Sequence, residues 1–106
     1  MRATLHTLEQ TIRQRRSADP STSYVAKLAA RGRAKIAQKV GEEAVETVIA
    51  AMADDRAEIV GESADLIFHL MMLLADMDVP FDAVLDELDR REGVSGIAEK
   101  AARPKD

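Results

Sequence analysis

Cysteine is absent from this 106-residue chain. Disulfide frameworks, thiolate metal sites and cysteine nucleophiles are therefore excluded. Tryptophan is also absent, and Tyr24, Phe68 and Phe81 are the whole aromatic inventory. With 46% apolar residues the core must then be built from Leu, Ile, Val, Ala and Met, the residues that pack helices. The same shortage argues against a nucleic-acid binder, which needs aromatic faces for stacking and a basic overall balance; this chain is acidic, with a formal net charge of −4. Long apolar runs are missing too: the longest is broken at His69 and falls far short of the roughly 20 residues of a membrane span. No apolar stretch at the N-terminus resembles a signal peptide. A soluble, cytoplasmic protein with no membrane partner is expected, one domain over residues 1–106, with 93–106 a polar C-terminal tail.

What is present is strongly segregated. From Arg13 to Lys39 there are eight basic residues (Arg13, Arg15, Arg16, Lys27, Arg31, Arg33, Lys35, Lys39) against one acid, Asp19. From Gly41 to Asp65 there are eight acids against one base, Arg56. Such halves attract each other as solvated surfaces, or they place a cation site beside an anion site.

Apolar spacing predicts helices throughout and no strands. Leu5, Leu8 and Ile12 mark a first helix from about Ala3 to Arg16, broken by Asp19-Pro20. Ser21, Thr22 or Ser23 caps a second, ending near Gly32. A third runs from about Ala34 to Met52 and a fourth from about Arg56 to Met77. Pro80 suits the first turn of a fifth, with Phe81, Val84, Leu85 and Leu88 inward and Gly93 at its end. One more short helix is expected around Ile97 to Ala102. Between Leu66 and Ala75 the only polar residue is His69. A helix apolar nearly all round is normally buried, and a chain this small cannot surround it, so a two-fold homodimer is expected.

The chemistry-bearing pattern lies on the third and fourth helices. Glu43/Glu46 and Glu62/Asp65 are each spaced i,i+3, which places both carboxylates of a pair on one face. They flank a probable turn at Asp54-Asp55, the first pair 11.5 and 8.5 positions before its centre, the second 7.5 and 10.5 after. At about 1.5 Å per residue the pairs stand level to within roughly 2 Å in an antiparallel hairpin. Four converging carboxylates repel unless a cation lies between them. Asp65, between apolar neighbours, is costly to bury ionised without such a partner. Oxygen-only ligands suit Mg²⁺, with Mn²⁺ as a substitute. A carboxylate-bridged di-iron site is excluded, because it needs Glu-x-x-His on two helices; three residues after Glu43, Glu46 and Glu62 stand Glu46, Ile49 and Asp65. His69, four after Asp65, reads as a hydrogen-bonding support or a satisfied core residue rather than a ligand. A hard cation beside a basic segment points to hydrolysis of a polyphosphate, with an activated water as nucleophile and Lys and Arg neutralising phosphate charge.

The run GEEAVETVIAA, followed by ESADLIFHL, resembles the E-E-x-x-E … E-x-x-D signature of the MazG-like all-α nucleoside triphosphate pyrophosphohydrolases. The flanking SYVAKLAARGRAKIAQKVGEEAVE and the tail SGIAEKAARPK are similar to one family within that group, the phosphoribosyl-ATP pyrophosphohydrolases of histidine biosynthesis. The likeness runs from about Leu5 to Pro104. It implies a MazG-like bundle of four to five helices completed by homodimerisation, and Mg²⁺-dependent hydrolysis of phosphoribosyl-ATP to phosphoribosyl-AMP and pyrophosphate. On matching positions it implies Glu43, Glu46, Glu62 and Asp65 as metal ligands, with Glu42 an added ligand or the base that orients water. Lys27 and Lys39 become the leading phosphate contacts, Arg31, Arg33 and Lys35 secondary ones, and Lys100 and Arg103 residues able to close over the substrate. Two other readings compete: a house-cleaning (d)NTP pyrophosphatase of the same fold, and a non-catalytic helical module whose acids are only a solvated stripe.

Overall fold

A computed structural model describes residues 2–93 together with Gly96, Lys100, Ala101 and Arg103. Five helices follow in order: α1 (Arg2–Arg15), α2 (Tyr24–Ala30), α3 (Arg33–Met52), α4 (Arg56–Asp76) and α5 (Phe81–Arg91). No strand occurs among the described residues. The short helix expected around Ile97 to Ala102 lies largely outside them.

Local chemistry sets the boundaries. After α1, the Asp19 carboxylate accepts from the Ser21 amide at 2.9 Å and folds the chain back. Ser23 is the residue that caps α2, its hydroxyl accepting from the Ala26 amide at 3.2 Å. Gly32, at φ +92°, makes the corner into α3 in a region that L side chains avoid. The α3–α4 turn falls where the sequence placed it: Asp54 takes φ +54°, and the Asp55 carboxylate caps α4 through the Glu58 amide at 3.0 Å. At the far end of α4 the Asp78 and Val79 amides reach back to the Ala75 and Leu74 carbonyls at 3.1 and 2.9 Å. That pair of bonds satisfies the carbonyls a helix end leaves open, and Pro80 follows. Pro80 precedes α5 rather than entering it.

The core gathers at one end of the α3–α4 hairpin. Ile12 of α1, Val25 and Leu28 of α2, Ile36 of α3, Met71, Met72 and Ala75 of α4, and Phe81 of α5 form it. Asp76 pins the same end from outside, accepting from Arg33 at 2.8 Å and Arg16 at 3.2 Å. Two expectations need correction. Leu88, assigned to the inner face of α5, is exposed. The apolar run of α4 is largely covered by its own chain: Met71, Met72 and Ala75 are buried, Phe68, Leu73 and Leu74 pack on the core, and Ile67 is its exposed large residue. The uncovered apolar surface lies instead toward the hairpin tip, where Val45, Val48, Ile49 and Met52 of α3 and Val60 of α4 face outward. No described helix is long and apolar enough to cross a membrane.

Candidate active site: a carboxylate cluster beside a cationic cavity

The hairpin brings Glu43 of α3 together with Glu62 and Asp65 of α4, one carboxylate oxygen of each lying within 4.8 Å of the others. Glu43 is 7% exposed, an unusual place for a glutamate. Its Oε1 faces the Lys39 ammonium at 3.6 Å. Its Oε2 is buried without a partner, and so is Oε2 of Glu62. Glu46, expected as a fourth member, stands beside Glu62 and Glu43 and acts on both, but the convergence is of three carboxylates. Hydrogen-bonding interaction with Glu46, followed by burial and the charges of Glu46, Glu43 and Asp65, pushes the Glu62 carboxyl up to about 7. Burial first, then Glu46, raises Glu43. Orphaned buried oxygens and raised acids describe a site short of positive charge, which is what a divalent oxygen-ligated cation supplies. The residues present fit such an ion.

Asp65 departs from expectation in one respect. It is exposed rather than buried, and Glu43 is the carboxylate that carries the burial. Glu42, one residue away, turns to the other side. It accepts from Gln38 at 2.8 Å and faces Lys39 at 3.3 Å, and these contacts hold its carboxyl below the usual range. A carboxylate held low accepts a proton poorly, so Glu42 is better placed to orient a water than to deprotonate one.

On that side lies a cavity of about 260 Å³ lined by Tyr24, Lys27, Leu28, Arg31, Lys35, Lys39 and Glu42. Four of the five basic residues expected to meet phosphate are therefore on one wall. Arg33 is the exception: its guanidinium is committed to Asp76 at the end of α4. Lys39 belongs to both halves: it lines the cavity and pairs with Glu42 and Glu43, partners the sequence reading had reserved for the metal. Lys100 and Arg103 are exposed and do not line this cavity. His69 is 6% exposed and bonded on both ring nitrogens, to the Asp65 carbonyl and the Tyr24 hydroxyl, each at 2.7 Å. It is a satisfied buried histidine, as its position suggested. Tyr24 was the residue missed. Its only sequence signal is its place at the start of α2, and its partner is 45 positions away.

The acidic hairpin, the cationic wall and the helix order can be set against known proteins. The model of the phosphoribosyl-ATP pyrophosphohydrolase family matches residues 5–92. The chain belongs to this family. Relatives named phosphoribosyl-ATP pyrophosphatase match over nearly their full lengths. That of Rhizorhabdus wittichii is 71% identical over 105 residues, 99% of each chain. That of Novosphingobium aromaticivorans is 73% identical over 96 residues, covering 91% of this chain and 90% of the relative. That of Zymomonas mobilis is 63% identical over 102 residues, covering 96% and 95%.

Proposed function

We propose that the chain hydrolyses phosphoribosyl-ATP to phosphoribosyl-AMP and pyrophosphate in the cytoplasm, the second step of histidine biosynthesis. The observation that carries this reading is the adjacency of two buried, unpartnered carboxylate oxygens and a cavity walled by four cations. Glu43, Glu46, Glu62 and Asp65 hold the divalent ion, Mg²⁺ or Mn²⁺ in its place. When bound, that ion polarises phosphate oxygens and neutralises charge on the departing pyrophosphate. Lys27, Arg31, Lys35 and Lys39 bind the phosphate chain electrostatically and turn the scissile anhydride toward the cluster. Glu42, ionised and anchored by Gln38, accepts a hydrogen bond from the attacking water and fixes its direction. Lys39 screens Glu43 until substrate arrives, then serves the phosphates.

The proposal includes a homodimer. Val45, Val48, Ile49, Met52 and Val60 are apolar, lie on the hairpin that carries the site, and are left exposed by the described helices. A second copy supplies a self-complementary cover for such a face.

The test is product analysis after incubation with phosphoribosyl-ATP and Mg²⁺. Equimolar phosphoribosyl-AMP and pyrophosphate, with no reaction in chelator, is the expected result. Turnover of a dNTP panel with phosphoribosyl-ATP left intact would overturn it in favour of a house-cleaning enzyme. No turnover of either, with no Mg²⁺-dependent stabilisation, would leave only an interaction module.

A further inference from the structure

Tyr24 and His69 form a hydrogen-bonded line from α2 to α4. The Asp65 carbonyl can only accept, so His69 Nδ1, 2.7 Å away, carries the proton. In neutral imidazole Nε2 then offers a lone pair, and the Tyr24 hydroxyl at 2.7 Å donates to it. Aromatic packing holds the same geometry. The Tyr24 and Phe68 ring centres are 6.1 Å apart, and both rings meet His69 edge-on at 5.7 and 5.2 Å. What this line joins is informative. Tyr24 is the first residue of α2, and Lys27 and Arg31 lie three and seven positions later on the same wall of the cationic cavity. Asp65 is one of the three converging carboxylates. α2 has only seven residues, too few to hold its own position without tertiary ties.

We propose that Tyr24 and His69 are a positioning pair whose hydrogen bond sets the α2 wall of the cationic cavity in register with the carboxylate cluster. The inference rests on the hydrolase reading above and adds residues that touch neither the ion nor the phosphates through their bonded atoms. Substrate gripped by Lys27 and Arg31 is thereby held at a fixed offset from Asp65. Without the bond, substrate still binds the cations, but the anhydride meets the cluster in a spread of orientations. Such a loss falls on kcat and spares KM.

Tyr24→Phe removes one oxygen and keeps the ring. At saturating Mg²⁺ it lowers kcat by about tenfold or more with KM within about twofold. His69→Asn keeps a donor for the Asp65 carbonyl but is too short to reach Tyr24, and it reproduces that loss. His69→Gln restores an acceptor at the Nε2 position and recovers most of kcat. The double variant Tyr24→Phe/His69→Asn is no worse than either single one. Unchanged kcat in Tyr24→Phe, a rise in KM alone, or multiplied effects in the double variant would each overturn the pair; so would a fall in kcat fully matched by loss of folded protein in thermal melts. Nitrogen-15 spectra of the two histidines give a readout that needs no substrate. A protonated Nδ1 and bare Nε2 on His69, altered by Tyr24→Phe, supports the pair, and an Nε2–H tautomer refutes it. Wild-type protein inert towards phosphoribosyl-ATP would sink the hydrolase reading instead, and the histidine spectrum would still decide the geometry.

Discussion

Glu62 is altered strongly by its neighbours: a carboxyl at about 7 takes up a proton where an ordinary glutamate has none. The sign of its effect on stability follows from linkage. The folded-state value is raised above the reference 4.5, so its contribution is fully present below about 4.5 and is lost as pH rises through about 7. Glu43 acts in the same direction. Asp76, Asp82 and Glu87 are shifted down, and their stabilisation is lost only on acidification below the usual carboxylate range. In chelator, the melting temperature should therefore fall between about pH 5 and 7.5, and Mg²⁺ should flatten that slope. A flat profile without metal would contradict the cluster's assignment. Glu62→Gln should remove much of the slope, hold or raise metal-free stability, and abolish turnover. Lys39→Ala separates positioning from metal chemistry: kcat/KM should fall by about 10²-fold, while Mg²⁺ affinity of the free enzyme holds or rises as a competing charge is removed. A loss below about threefold would reduce Lys39 to a partner of Glu42 and Glu43. The acids were legible in the sequence because i,i+3 spacing and a two-residue turn fix their convergence. The fates of Arg33 and Tyr24 were not, since each depends on which residue of another helix comes within reach. The exposure of Asp65 depends likewise on how far the hairpin protrudes from its core.

At the scale of elements, helix ends were readable to within a residue or two because their signals are local. Ser23, Asp55, Pro80 and Gly93 each stop or start a helix through their own backbone or side chain. The Asp55 cap is the clearest of these, and Asp55→Ala should cost about 1 kcal/mol in chemical denaturation while leaving the cluster's carboxylates in place. α5 is different. Pro80 precedes it and offers no capping side chain, so the helix borrows one: Glu9 of α1 accepts from the Phe81 amide at 2.7 Å across 72 positions of sequence. No pattern within α5 announces that bond. Glu9→Ala should destabilise the protein by about 1–3 kcal/mol, the range for a hydrogen bond to a charged group. The effect should appear as faster hydrogen exchange at the start of α5, with kcat for the remaining folded protein unchanged. Equal exchange in both proteins would show that Phe81 finds another acceptor. The inner face of α5 was only partly legible for a related reason. Its amphipathic spacing identified Phe81, which is buried, but Leu88 is left exposed.

The whole chain is more extended than its length requires. Its radius of gyration is 15.9 Å, against about 13 Å for a compact domain of this size. The excess matches the distribution of the core: α1, α2 and α5 pack on one end of the α3–α4 hairpin, and the tip projects with Val45, Val48, Ile49 and Met52 exposed at 58%, 60%, 61% and 81%. Those four stand at i, i+3, i+4 and i+7, one continuous stripe of α3. An apolar surplus was legible in the sequence, but its place was not, because the run of α4 that looked uncovered meets α1 and α2 in three dimensions. Relocating the surplus changes what a dimer does. Ile49 shares a groove with Glu46, Glu58 and Glu62, so a second copy docked on this stripe also closes the side of the carboxylate cluster and strengthens every charge interaction inside it. Ile49→Glu places a carboxylate at the centre of the stripe, and two-fold symmetry makes it meet itself or its neighbours twice. The variant should sediment as a monomer at micromolar concentration, where the wild type should sediment as a dimer, with helical content retained. Its Mg²⁺ affinity and turnover should fall together, because the cluster loses its cover and gains a nearby like charge. Monomeric wild type at the same concentration would remove the dimer from the account. Dimeric Ile49→Glu with full activity would move the interface to another face.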